Sequence, residues 1–162
     1  MRKVILDVDT GSDDAVAIMM AALHPDLELV ACTTVWGNLE VELTTANTLR
    51  VLDHVSATSV PVYEGLNAPF GPIPHTPEPE TDRSRGKIHK PKLDIPDSKR
   101  SKESANAVEW LVETLRSTTQ KLTLVPVAPL SNIAAALTVD PKIAESIDEM
   151  VIMGGGHAIG NV

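Results

Sequence analysis

Val4-Ile5-Leu6-Asp7-Val8-Asp9-Thr10-Gly11-Ser12-Asp13-Asp14-Ala15 lies almost at the start of the chain. Its first three residues are apolar, two of them β-branched, and read as a short buried strand that ends in acids. Gly11 then allows a sharp turn and a close approach of the backbone to a ligand. From Asp13 to Leu23 the chain is rich in Ala, Met and Ile and reads as a helix, stopped at His24-Pro25. Strand, acidic turn and helix in immediate succession open a βα unit.

The alternation continues outward. Leu27 to Val35 reads as a second strand. Leu39 to Val55 reads as a helix with Leu43, Ala46, Leu49 and Leu52 on one face. Val60 to Tyr63 is a short third strand. From Pro61 to Pro96 lie eight of the twelve prolines, with His75 and His89 among them. Residues 65–100 therefore read as a loop or lid within a single domain spanning 1–162. Ala105 to Leu115 has Ala107, Val108, Leu111, Val112 and Leu115 at helical spacing. Leu122 to Val127 is a strand, Leu130 to Leu137 a short helix, and Met150 to Met153 a strand running into Gly154-Gly155-Gly156. Such alternation implies right-handed βαβ units and a mostly parallel open sheet flanked by helices, a Rossmann-like α/β fold. In sheets of this kind ligands bind beyond the carboxyl ends of the strands.

Composition narrows the function. There are 14 basic against 22 acidic residues, a formal charge of -8, and no basic tract. That balance excludes a general nucleic-acid or membrane-surface binder and favours cations and small polar ligands. The lone cysteine, Cys32, sits in an apolar run and reads as a small buried hydrophobe. With no internal disulfide, no long apolar run and no leader after Met1, a cytoplasmic protein is expected.

Asp7, Asp9, Asp13 and Asp14 bring four carboxylates within eight residues. Packing them at a strand end is repulsive unless a cation neutralises them, and oxygen ligands suit Ca²⁺ or Mg²⁺. Asp13 and Asp14 also suit the first turn of a helix for purely electrostatic reasons. An Asp-x-Asp after a strand also resembles the nucleophile loop of phosphatases of the haloacid dehalogenase type, so the cluster alone leaves both chemistries open.

Three later segments bear on that choice. Ile5 to Ala15 resembles the opening signature of the inosine-uridine nucleoside hydrolase family, with Thr10 where the family usually has Pro. Thr33-Thr34-Val35-Trp36-Gly37-Asn38 resembles the end of its second strand. Leu124-Val125-Pro126-Val127-Ala128-Pro129-Leu130-Ser131-Asn132-Ile133-Ala134 resembles its G-P-L-T-N-I-A segment. Val151-Ile152-Met153-Gly154-Gly155-Gly156, followed by Gly160-Asn161-Val162, resembles its M-G-G…G-N segment. The phosphatase reading explains only the first of these four.

The resemblance implies a nucleoside hydrolase fold, incomplete at its C-terminus, and hydrolysis of the N-glycosidic bond of nucleosides by a Ca²⁺-bound water. It implies Asp9 as Ca²⁺ ligand and general base, Asp14 as a ligand, Val127 as a ligand through its carbonyl, and Asp7 in or just behind the metal shell. Asp13 would hold the ribose 2′-hydroxyl, Asn38 would orient water and sugar, Asn161 would contact the sugar, and Met153 would pack against the ribose. His89 would touch substrate from the lid, although His89-Lys90-Pro91-Lys92-Leu93-Asp94 departs from the family's H-G-x-D-G run. Members of the family are much longer, and the absent part would supply a further Asp to the metal and a His near the leaving base. The chain alone is therefore expected to have little activity, and to associate with a C-terminal half or with itself through an open sheet edge. A non-catalytic nucleoside-binding module is the other reading. His75 is expected to be solvated or a lid contact, and His157 to line the pocket or sit in a turn. Trp36 is expected to pack rather than stack on a base, and Ser131 and Asn132 to cap the helix that follows them.

Overall fold

The computed structural model describes residues 1–71 and 89–155. Five parallel strands form one sheet in the order β3-β2-β1-β4-β5. They are β1 (Arg2–Val8), β2 (Leu27–Thr34), β3 (Val62–Glu64), β4 (Leu122–Pro126) and β5 (Ile147–Met150). The helices are α1 (Ser12–Leu23), α2 (Val41–His54), α3 (Ala107–Ser117) and α4 (Ser131–Val139), followed by a 3₁₀ turn at Pro141–Ser146. The chain winds outward from β1 to β3 and then returns to place β4 on β1's other side. This reversal makes the cleft between the ends of β1 and β4 the topological switch point, where ligands bind in such sheets.

β1 is buried on both faces, and its two-residue alternation sorts the core. Val4, Leu6 and Val8 pack with Ile18, Leu49 and Leu52 of α1 and α2. Ile5 packs with Leu111, Leu115, Ile133 and Ile143 on the opposite side. Asp7 shares Ile5's side of the strand, so it faces α4. Asp7 is level with Thr33 on β2 and Pro126 on β4, which aligns the strand ends on one rim.

Two expectations are corrected. The final strand runs Ile147–Met150, not Met150 to Met153. An edge strand tolerates charged residues such as Asp148 and Glu149, so hydrophobicity marks its position poorly. Pairing to β4 does persist beyond it, through Val151 N–H to Leu124 C=O at 2.9 Å and Met153 N–H to Pro126 C=O at 3.0 Å. On α2, Leu49 and Leu52 are buried as expected, but Leu43 and Ala46 are only half-buried. Thr44, Thr45, Asn47 and Thr48 are buried beside them, because that face meets strand-end loops rather than apolar core.

Candidate active site

The loop after β1 is held from α2. The hydroxyls of Thr10 and Thr48 lie 2.6 Å apart, and Asn47 Nδ2 donates to the Thr10 carbonyl at 3.2 Å. A hydroxyl pair thus anchors Thr10 in the turn. Thr44 Oγ1 donates to the Val35 carbonyl at 3.1 Å and fixes the loop after β2 in the same way. Asn47 also reaches the returning segment, donating to the Pro91 carbonyl and accepting from Leu93 N–H, each at 3.3 Å.

This scaffold buries three carboxyls: Asp7, Asp9 and Asp14 are 1%, 5% and 3% exposed. Asp7 Oδ1 accepts from Thr33 Oγ1 at 2.6 Å and from Asn132 Nδ2 at 2.8 Å, while its Oδ2 has no hydrogen-bond partner. Asp9 Oδ2 accepts from Asn38 N–H at 2.6 Å. Asp14 Oδ2 accepts from Gly11 N–H at 3.2 Å, the reach of a helix's third residue back to its cap, but its Oδ1 is without a partner. Burial raises all three carboxyls, Asp7 to about 6 and Asp9 to about 7, and the neighbouring carboxylates push the same way. Asp13 is exposed, with His89 Nδ1 3.8 Å from its Oδ1.

Glycine serves close approach here rather than an unusual backbone. Gly11 has φ -99°, and a Cβ there would lie 2.1 Å from His89 Nδ1. At Gly37 a Cβ would lie 2.1 Å from Asp9 Oδ2. Gly11 turns the chain into α1 at an ordinary φ, and its missing side chain leaves room for the imidazole of His89.

A cavity of about 400 Å³ opens above the carboxyls. Asp9, Asp13, Asn38, His89, Val127 and Met153 all line it, while Asp7 and Asp14 lie beneath. Val127 is fixed by its N–H to the Asp7 carbonyl at 2.9 Å. Asn161, His75 and His157 fall outside the described residues. The cavity also has an apolar wall of Trp36, Leu130 and Ile152. Trp36 is half-buried and its Nε1–H donates to Ser131 Oγ at 3.2 Å, so the indole is held in the wall.

Ser131 and Asn132 do not cap α4. Its cap residue is Leu130, without a side-chain bond, and both polar side chains reach across to other strand ends. Sequence reading missed Asn132 because a polar residue at a helix start has a ready local explanation.

Among the described residues no three His, Cys, Asp or Glu side chains form a ready metal cage. The orphaned oxygens of Asp7 and Asp14 nonetheless fit a hard cation, since each is a buried anion-forming group with nothing to neutralise it. With Asp9 they would supply part of the six to eight oxygens that Ca²⁺ takes, about half at most.

A doubly wound parallel sheet with buried carboxyls at its switch point defines an α/β domain with an acidic cavity at its strand ends. The chain belongs to the inosine-uridine preferring nucleoside hydrolase family, whose model matches residues 4–162. It is 41% identical to the pyrimidine-specific ribonucleoside hydrolase RihB of Escherichia coli, over 99% of this chain and 50% of that protein. It resembles the solved purine-preferring ribonucleoside hydrolase of Gardnerella vaginalis with a TM-score of 0.82 and 34% identity, over 96% of this chain and 49% of that one. A plant nucleoside hydrolase matches with a TM-score of 0.80 and 31% identity, over 96% and 48%. The chain thus spans about half the length of the relatives it matches. The phosphatase reading of the aspartate loop is set aside by a family match that runs through all four segments. Among the described residues no helix is long and apolar enough to cross a membrane.

Proposed function

We propose that these residues form the sugar-binding and water-activating half of a site that hydrolyses the N-glycosidic bond of nucleosides, releasing ribose and free base. The carrying observation is the set of buried carboxyls, Asp9 among them, at a cavity lined by both acidic and apolar side chains. Asp9, Asp14, Asp7 and the Val127 carbonyl would hold Ca²⁺. When bound, the cation would lower the pKa of a water and fix the ribose diol beside it.

The chain's own groups do the rest. Asp9 Oδ2 accepts from Asn38 N–H, which orients the carboxyl, and Asp9 would take a proton from the attacking water. A general base so placed contributes roughly 10²–10⁴-fold. Asp13 is exposed on the cavity side and suits a ribose 2′-hydroxyl, with Asn38 beside it. Carboxylates around the sugar favour the positive charge that builds on the ribosyl ring as the bond breaks. Met153 offers an apolar surface to the ribose, and His89 covers it from the lid. Asn161 would contact the sugar.

Among the described residues β5 is paired on one side only, and the exposed Val151, Ile152 and Met153 follow it, the last two lining the cavity. An unpaired edge with apolar residues beside it invites another segment, and a C-terminal half like that of the relatives fits there.

Two assays test the reading: free ribose from inosine and uridine, and inorganic phosphate from nucleoside monophosphates. The isolated chain should release little ribose. Co-expressed with the C-terminal half of its 41% identical relative, it should release ribose in a Ca²⁺-dependent way and no phosphate. An assembled complex that binds nucleoside without cleaving it would favour a binding module instead.

A further inference from the structure

Asn132 is completely buried at the first turn of α4, yet all of its side-chain hydrogen bonds leave that helix. Nδ2 donates to Asp7 Oδ1 at 2.8 Å and to the Thr34 carbonyl at 2.9 Å. Oδ1 accepts from Leu66 N–H at 3.0 Å. Two acceptors on one side and a donor on the other fix which way the amide faces. One side chain therefore ties the ends of β1 and β2 and the loop after β3. The space around it is built to fit: a Cβ at Gly65 would lie 2.2 Å from Asn132 Oδ1.

The consequence falls on Asp7. With Thr33 and Asn132 both bonded to Oδ1, the carboxyl cannot rotate without losing two hydrogen bonds, and Oδ2 is left as its one uncommitted oxygen. We propose that Asn132 is a positioning residue of the site, holding Asp7 so that Oδ2 alone is offered to a bound cation. This rests on the reading of the carboxyl cluster as a cation site. Outer partners that orient a ligand change metal affinity by about 10–100-fold when removed.

The test is a cycle of four chains titrated with Ca²⁺ by calorimetry, and with Tb³⁺ by luminescence sensitised from Trp36 in the cavity wall. The four are the parent, Asn132→Ala, Asp7→Asn and the double variant. Asn132→Ala should weaken binding by about 10–100-fold, and in the Asp7→Asn background it should weaken binding no further. Gly65→Ala, which crowds the amide without touching Asp7, should weaken binding in the same direction as Asn132→Ala and provides a second variant. An additive loss in the double variant, or unchanged affinity in Asn132→Ala, overturns the positioning role while leaving the cation site standing. A parent chain that binds neither ion, alone or assembled with the C-terminal half of its 41% identical relative, overturns the cation reading, and the proposal with it.

Discussion

The imidazole of His89 lies against Gly11, so close that a methyl group at position 11 would sit 2.1 Å from its Nδ1. The contact joins the segment that begins at His89 to the aspartate loop and puts His89 at the cavity beside Asp13. Gly11→Ala should expel the ring. Its obstacle is a side chain on a loop rather than fixed backbone, so the loss of stability should lie at the lower end of the roughly 1–3 kcal/mol typical of overpacking. The clear readout is His89 itself: its proton resonances should move to those of a solvated histidine. Unmoved resonances in Gly11→Ala would show that the ring packs elsewhere.

Stability of the metal-free chain should fall as pH rises. Unfolded Asp has a pKa near 3.8, against about 6 for Asp7 and about 7 for Asp9 in the folded chain. The folded state holds these protons more tightly, so the associated stability is complete below 3.8 and is lost as pH climbs through 6 to 7. Thermal midpoints should drop over that window, and Asp9→Asn should flatten the drop. Saturating Ca²⁺ should restore the midpoint at the alkaline end by mass action. A midpoint that rises through this window in the metal-free chain would contradict the shifts.

Asn47 is fully buried and bonded to Thr10, Pro91, Leu93 and Arg50. Asn47→Ala strands several buried groups at once and should cost about 1–3 kcal/mol in urea unfolding. It should also free the 89–97 segment, seen as faster hydrogen exchange at Leu93 N–H. Equal exchange in both chains would mean that other contacts hold the segment.

Ser131 Oγ accepts from Trp36 Nε1 at 3.2 Å and from Phe70 N–H at 3.3 Å. Ser131→Ala should loosen the cavity wall with a modest loss of about 1 kcal/mol. With Trp110→Phe as background, Trp36 emission should shift to the red and become more accessible to iodide quenching. Identical spectra would place the indole's restraint elsewhere.

The fold was largely legible in the sequence. Apolar runs, helical spacing and proline stops located the four described helices, and four of the five described strands lay within a few residues of expectation. Local apolar pattern tracks burial wherever an element faces ordinary core, as at Ile5, Leu52 and Leu111. It failed where an element faces something else. β5 is an edge strand, and the buried face of α2 serves loops through threonines and an asparagine.

The aspartate cluster was visible because four like charges in one short stretch demand an explanation that needs no partner from elsewhere in the chain. Its sequence determined that carboxylates would meet at the end of the first strand. The tertiary structure alone decided which of their oxygens are spoken for. That depends on Thr33, 26 residues from Asp7, and Asn132, 125 residues away. Hydrogen bonds between such distant residues leave no periodic trace in the chain. They arise only when the parallel sheet brings the strand ends and the start of α4 to one rim.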